Sequence, residues 1–372
     1  MIRCESLRAA GRDNIMPGAF QYSVALNTIP RMDHDKDRVR RRALEFIAAD
    51  GRGVAARLAS AFEISRQVAN GYLQGLVRDG FIAAEGSTRA RVYRLVTLSD
   101  ISRRFAPHGL EEDRVWQEML LPELKDLPEN VVDIWHYGAT EMINNAIDHA
   151  DASSIDVRLV RNALYGQCQV ADDGMGIFVK IQRALDLADA REAILELVKG
   201  KLTTDPDNHT GEGIFFTSRA MGEFHIESGR LHFRHAAGQA DVLDELETER
   251  AGTLVRMQLA NHSQTNLNEI FDQFSDPEEF TFDRTVIPLR LAQFEGQKLV
   301  SRSQAKRIAQ RFERFKRVEL DFAGIETIGQ AFADEMFRVF TRAHPEIRIV
   351  PVNATPAVDR MIRRAVGAKR QE

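Results

Sequence analysis

Glu141, Asn145 and His149 stand four residues apart, so on a helix they stack on one face. A carboxylate and an amide oxygen one turn apart suit a hard cation and an attacking water. Further along, Asp172-Asp173-Gly174-Met175-Gly176 sets a carboxylate at a sharp backbone turn where a ligand can approach closely. A carboxylate there could accept a hydrogen bond from an exocyclic amine. Gly211-Glu212-Gly213 then opens a helical run from Ile214 to Met221. N–H groups at a helix N-terminus bind phosphate, and glycine lets the phosphate come near. Each piece alone also has an ordinary structural reading, since Asp-Asp-Gly is a common turn and Gly-x-Gly a common doublet.

The elements that must position these residues are legible in the pattern. Val132, Trp135, Ala139, Ile143, Ala146, Ile147 and Ala150 recur at intervals of three and four and predict an amphipathic helix carrying Glu141 and Asn145 on its other face. An alternating run from Leu164 to Val170 predicts a strand that ends at Asp172.

In this order and at these separations the three pieces resemble the N box and the two glycine boxes of the histidine-kinase-like ATPase superfamily (GHKL). The resemblance implies a Bergerat-type α/β sandwich over residues 129–262, with ATP and Mg²⁺ as its ligands. Asn145 matches the family's Mg²⁺-binding asparagine and Glu141 the glutamate that orients or deprotonates the attacking water. Asp172 matches the carboxylate that reads the adenine amine, and Gly174 and Gly176 shape that pocket. Gly211 and Gly213 match the phosphate-contacting loop, and Thr253 sits where the family often places a threonine beside adenine. The interval Phe178 to Thr210 corresponds to the ATP lid, helical at first and then polar. Within it Lys199 or Lys201 could reach a terminal phosphate, or either could be a solvated lysine at a helix C-terminus.

The chain has 372 residues, which predicts two or three domains, and a net charge of −5. That balance does not mark the whole chain as a nucleic-acid binder, so such binding would need a local patch. Its two cysteines, Cys4 and Cys168, allow no disulfide framework and fit a reducing cytoplasm. No apolar run approaches the length needed to cross a bilayer. Residues 1–32 have no sustained period and no secretory signal pattern. They read either as a disordered arm or as an over-extended start with Met16 or Met32 as initiator.

Residues 33–97 supply the local patch: they hold twelve Lys/Arg against eight Asp/Glu. Helical patterns over Asp37–Ala49 and Val54–Phe62 precede a third capped by Ser65, with Val68, Tyr72, Leu73, Leu76 and Val77 inward. Two short strand-like runs follow. The order resembles a winged helix-turn-helix. A domain of that kind would present Arg66, Gln67, Asn70 and Gln74 to base edges of double-stranded DNA, and Arg89 and Arg91 of the wing to phosphates or the minor groove. The same fold also serves protein contacts or dimerisation. Residues 98–128 read as a connecting helix with a kink or break at Pro122. In the superfamily such a helix packs beside the nucleotide fold or swaps across a homodimer.

After Leu259 a polar linker and an acidic stretch, Phe271 to Phe282, lead into alternating strands and helices over 283–368. Leu320 to Phe332 resembles the centre of STAS domains, the fold of anti-sigma-factor antagonists. Those antagonists carry a phosphoacceptor serine at the start of the following helix, where this chain has Gln330 and Ala331, with Thr327 the nearest hydroxyl. The resemblance therefore implies an interaction module for a protein partner without that acceptor.

Together these readings describe an α/β multidomain chain, a cytoplasmic regulator whose ATPase switch controls a DNA-binding winged helix and a STAS-like domain. Two other readings stand beside it: an anti-sigma-type protein kinase, and a nucleotide-gated scaffold that binds only proteins.

Overall fold

The computed structural model describes residues 34–87, 90–202, 211–276, 281–293 and 298–367. Residues 1–32, Arg89 and the polar half of the interval before Gly211 lie outside them, or largely so.

Three helices, α1 (His34–Ala49), α2 (Val54–Phe62) and α3 (Arg66–Arg78), and a hairpin of β1 (Ile82–Glu85) and β2 (Val92–Leu95) form the first unit. Its core is its own: Val39, Ala43, Leu44, Ile47, Leu58, Leu73 and Leu76 bury against one another. On α3 the buried stripe is Ala69, Leu73 and Leu76. Val68 and Val77 point outward instead, 48% and 39% exposed, because the stripe advances by four and three from Ala69 rather than from Val68.

Only Val96 separates β2 from β3 (Thr97–Phe105). The span 98–128, read as a connecting helix, therefore begins as the edge strand of the central sheet, antiparallel to its neighbour from Thr97 through Phe105. Alternation in Leu98-Ser-Asp-Ile-Ser-Arg-Arg-Phe is too weak to announce a strand, because the edge faces water on one side. The remainder is helical: α4 (Glu112–Val115), a π-helical turn over Trp116–Leu120, and α5 (Leu121–Leu124). The widened turn takes up Pro122, with the Leu121 amide reaching back to the carbonyl of Trp116.

The long helix α6 (Glu129–His149) follows, then β4 (Ile155–Asn162) and β5 (Tyr165–Asp172). Two helices, α7 (Ile177–Ala184) and α8 (Ala190–Lys199), occupy the described part of the next interval, and α9 (Gly213–Ala220) leads into the hairpin of β6 (Glu223–Ala236) and β7 (Val242–Ala260). The sheet order is β3-β4-β5-β7-β6, antiparallel throughout. Its inner face carries Val157, Leu159, Cys168, Phe224, Ile226 and Met257, all buried with Trp135 and Ala139 of α6.

Part of the span after Leu259 that reads as linker and acidic stretch is helical. Asn266 caps α10 (Leu267–Phe274), whose Phe271 and Phe274 enter a ring cluster with Phe215 and Phe216 of α9 and with Phe282. Its exposed carboxylates masked an amphipathic helix. Beyond it, β8 (Arg284–Pro288), α11 (Arg302–Ala309), β9 (Arg317–Asp321), α12 (Gln330–Asp334), a π-helical turn over Glu335–Phe340, α13 (Thr341–Ala343), β10 (Arg348–Val352) and α14 (Pro356–Gly367) make an α/β layer. Its sheet is parallel, in the order β10-β9-β8. Helix α11 ends at Gln310, and Arg311 takes a left-handed conformation at φ 65°. No helix among the described residues is long and apolar enough to cross a membrane.

Candidate functional site

A cavity of about 310 Å³ opens between α6, the end of β5, α7, the start of α9 and β7. Glu141 and Asn145 line it from α6, Asp172 from β5, Gly176 from the following turn, Gly211 and Gly213 from the approach to α9, and Thr253 from β7. With His149 at the end of α6, eight of the residues singled out in the sequence thus meet at one place.

Asp172 is held from behind. Its Oδ1 accepts from the backbone N–H of Gly174 at 2.9 Å and of Thr253 at 3.2 Å. Burial raises its carboxyl above the ordinary 3.8, and those hydrogen bonds oppose the shift. Thr253 accepts from the Ile177 amide at 3.0 Å and sets a hydroxyl beside the carboxylate. Asp173, the second carboxylate of the pair, serves the fold: it accepts from the backbone amides of Ser153 at 2.7 Å and Ser154 at 2.9 Å.

Gly174 does not line the cavity. It lies where the turn abuts α6, and a Cβ there would sit 1.9 Å from the carbonyl oxygen of Ala150. Gly213 is required by the site itself, because a Cβ would sit 1.9 Å from Oε2 of Glu141. The carboxylate of Glu141 thus rests directly against the N-terminal turn of α9, where backbone N–H groups are unpaired within the helix.

Lys201 is not among the residues that line the cavity. Its Nζ donates to the carbonyl of Arg314 at 3.0 Å and lies over the rings of Phe282 and Phe315. Lys199 is fully buried, paired with Glu196 and donating to the carbonyl of Gln310 at 2.9 Å. Both lysines turn toward the C-terminal layer; Lys199 is shut off from water there, and Lys201 stays half-buried. The lysine that does line the cavity is Lys180, on α7, which also donates to Asp151 at 3.1 Å. Its only signal in the sequence is its place one turn after Gly176.

Glu141 and Asn145 supply one carboxylate and one amide one turn apart, and no group of three or more His, Cys, Asp or Glu among the described residues could hold a metal ion. Such a pair suits Mg²⁺, which keeps water and phosphate oxygens as its remaining ligands.

On the first unit, Arg66, Gln67, Asn70 and Gln74 are all exposed along α3, and Arg91 is exposed at the start of the second hairpin strand. The Ser65 side chain caps α3 by accepting from the Val68 amide at 3.2 Å. Arg89 lies outside the described residues. In the C-terminal layer Gly329 precedes α12, Gln330 opens it, and Thr327 is exposed in the loop before it.

The profile of a protein family described as a STAS-like domain of unknown function (DUF4325) matches residues 304–359, from α11 into α14. No curated protein matches the chain.

Proposed function

We propose that this chain is a nucleotide-responsive regulator. ATP with Mg²⁺ occupies the central cavity, the N-terminal unit binds duplex DNA as a winged helix, and the STAS-like domain offers a surface to a protein partner. The observation that carries the reading is the convergence of Glu141, Asn145, Asp172, Gly211, Gly213 and Thr253, drawn from four elements, on one cavity.

In this reading Asp172, with Oδ1 engaged by backbone amides, accepts the adenine amine on its other oxygen. Thr253 contributes a hydroxyl to the same end. The N-terminal turn of α9 receives the phosphates, as free N–H groups and a glycine favour. Asn145 would hold Mg²⁺, which would supply charge neutralisation to the phosphate oxygens. Glu141 takes the proton of the attacking water as its oxygen bonds to the γ-phosphorus and the bond to the ADP oxygen breaks.

Coupling to DNA has a short covalent route. The hairpin strand β2 runs through one residue into β3, and Ala163 and Leu164, at the turn between β4 and β5, pack against the N-terminal core. Nucleotide shifts the arrangement of these units only if it binds one arrangement more tightly than another.

The test is incubation of the purified chain with Mg²⁺ and γ-labelled ATP, beside Glu141→Ala and Asn145→Ala. Free phosphate that disappears in Glu141→Ala, with metal-dependent binding lost in Asn145→Ala, is the expected result. Label transferred to protein turns the reading to a kinase. A wild-type chain that retains no ATP overturns it. DNA binding is tested separately, by a shift of duplex DNA that weakens steeply with salt.

A further inference from the structure

Helix α8 is buried from Glu192 to its end, Glu196 and Lys199 included. Its charges are met from the C-terminal layer at matching intervals of four. Arg307 pairs with Glu192 at 2.9 Å, and Arg311 with Glu196 at 2.9 Å. Arg311 does more than neutralise. Its Nη2 donates to the carbonyl of Gly200 at 3.4 Å and to that of Lys201, while Arg314 donates to Lys201 at 2.7 Å. The next residue, Leu202, lines the cavity and donates its amide to the carbonyl of Gly211 at 3.0 Å. Gly211 lines the cavity too, two positions before α9 begins.

A continuous set of hydrogen bonds therefore runs from the C-terminal layer to the glycine approach of α9. The planar fork of Arg311 is what joins an ion pair and two carbonyls at one point, and a lysine could not span them. Arg311 holds a left-handed backbone, which L residues adopt only where surrounding contacts over-determine it.

We propose that Arg311 is a positioning residue of the central cavity, through which the STAS-like domain sets the geometry of the glycine approach to α9. The nucleotide half of this inference rests on the function proposed above; the mechanical half does not. A partner bound to the STAS-like domain that displaces Arg311 loosens the cavity without touching it, and nucleotide in turn tightens the docking of α11.

The experiment compares the full-length wild type with Arg311→Lys and Arg307→Lys. Arg311→Lys keeps the charge opposite Glu196 and drops the carbonyl contacts. Amide exchange over 199–202 and 211–213 is expected to quicken in Arg311→Lys without nucleotide, and Mg-ATP affinity to fall by roughly 5- to 150-fold, the usual span of coupling between sites. Arg307→Lys is expected to leave both near wild type. Equal losses in the two variants, or unchanged exchange and affinity in Arg311→Lys, overturn the proposal. If the variant fails to fold, the wild type decides: saturating Mg-ATP is expected to slow exchange over 307–315, and no change there overturns the coupling. A wild type that binds no nucleotide overturns the function proposed above, while exchange in Arg311→Lys still judges the mechanical half.

Discussion

Gly213→Ala is the most informative single change at the cavity. Gly213 has ordinary helical backbone at the first position of α9, so alanine is compatible with the fold and removes about 0.5–1 kcal/mol of glycine's entropic penalty. The added methyl would sit 1.9 Å from Oε2 of Glu141, 2.8 Å from its Cδ and 3.3 Å from its Cγ. Restoring normal contact between heavy atoms requires the carboxylate oxygen to move by about 1.5 Å. The clash falls on the far end of a flexible side chain, so displacement of the carboxylate rather than of the backbone is the consequence. A misplacement of about 1 Å in a reacting group costs on the order of 100-fold in rate. The variant is therefore expected to melt no lower than wild type, to retain Mg-ATP, and to release phosphate about 100-fold more slowly. Thermal denaturation, equilibrium nucleotide binding and labelled-phosphate release measure the three quantities. Hydrolysis within a few-fold of wild type would refute the placement of Glu141 against the reacting phosphate. A fall in melting temperature would refute the helical reading of position 213.

Three further outcomes follow from the geometry. Burial raises the carboxyl of Asp172, so its ionised form is disfavoured in the fold and its contribution to stability is lost as pH rises from 3.8 through the raised value. Asp172→Asn is thus expected to gain stability relative to wild type on going from pH 3 to 7 while losing adenine binding, checked by urea denaturation across pH; a constant difference would contradict it. Glu196 is 3% exposed and faces both Lys199 and Arg311, so Glu196→Ala is expected to destabilise by about 3–5 kcal/mol in denaturant unfolding. On α3, Gln67→Ala is expected to relax sequence preference at a cost of about 1–3 kcal/mol, whereas Arg91→Ala lowers the slope of log affinity against log salt by about one; identical effects of the two would remove the distinction between base and phosphate contacts.

The cavity's lining was legible because it rests on local spacing. Glu141 and Asn145 share a face through the helical period alone, and Asp172 ends a strand whose alternation is visible from Leu164 onward. The α/β layer was legible too, since the alternating Arg317–Asp321 and the largely apolar Arg348–Val352 fall between helical patterns. Edges and interfaces were not. Strand β3 owes its form to hydrogen bonds with β4, a partner more than fifty residues away, and its own side chains alternate poorly. Helix α10 looks acidic until Phe271 and Phe274 find the rings of α9.

The lysines mark the boundary most sharply. Lys199 and Lys201 have the type and position to meet a phosphate, and no local rule sends them elsewhere. Their direction was decided by Gln310, Arg314, Phe282 and Phe315, which the chain brings back only through the C-terminal layer. Periodicity and motif spacing are properties of neighbouring residues and can be read in one dimension. The partner of a buried charge is chosen by whichever distant group is there when water leaves, and only the packed structure determines it.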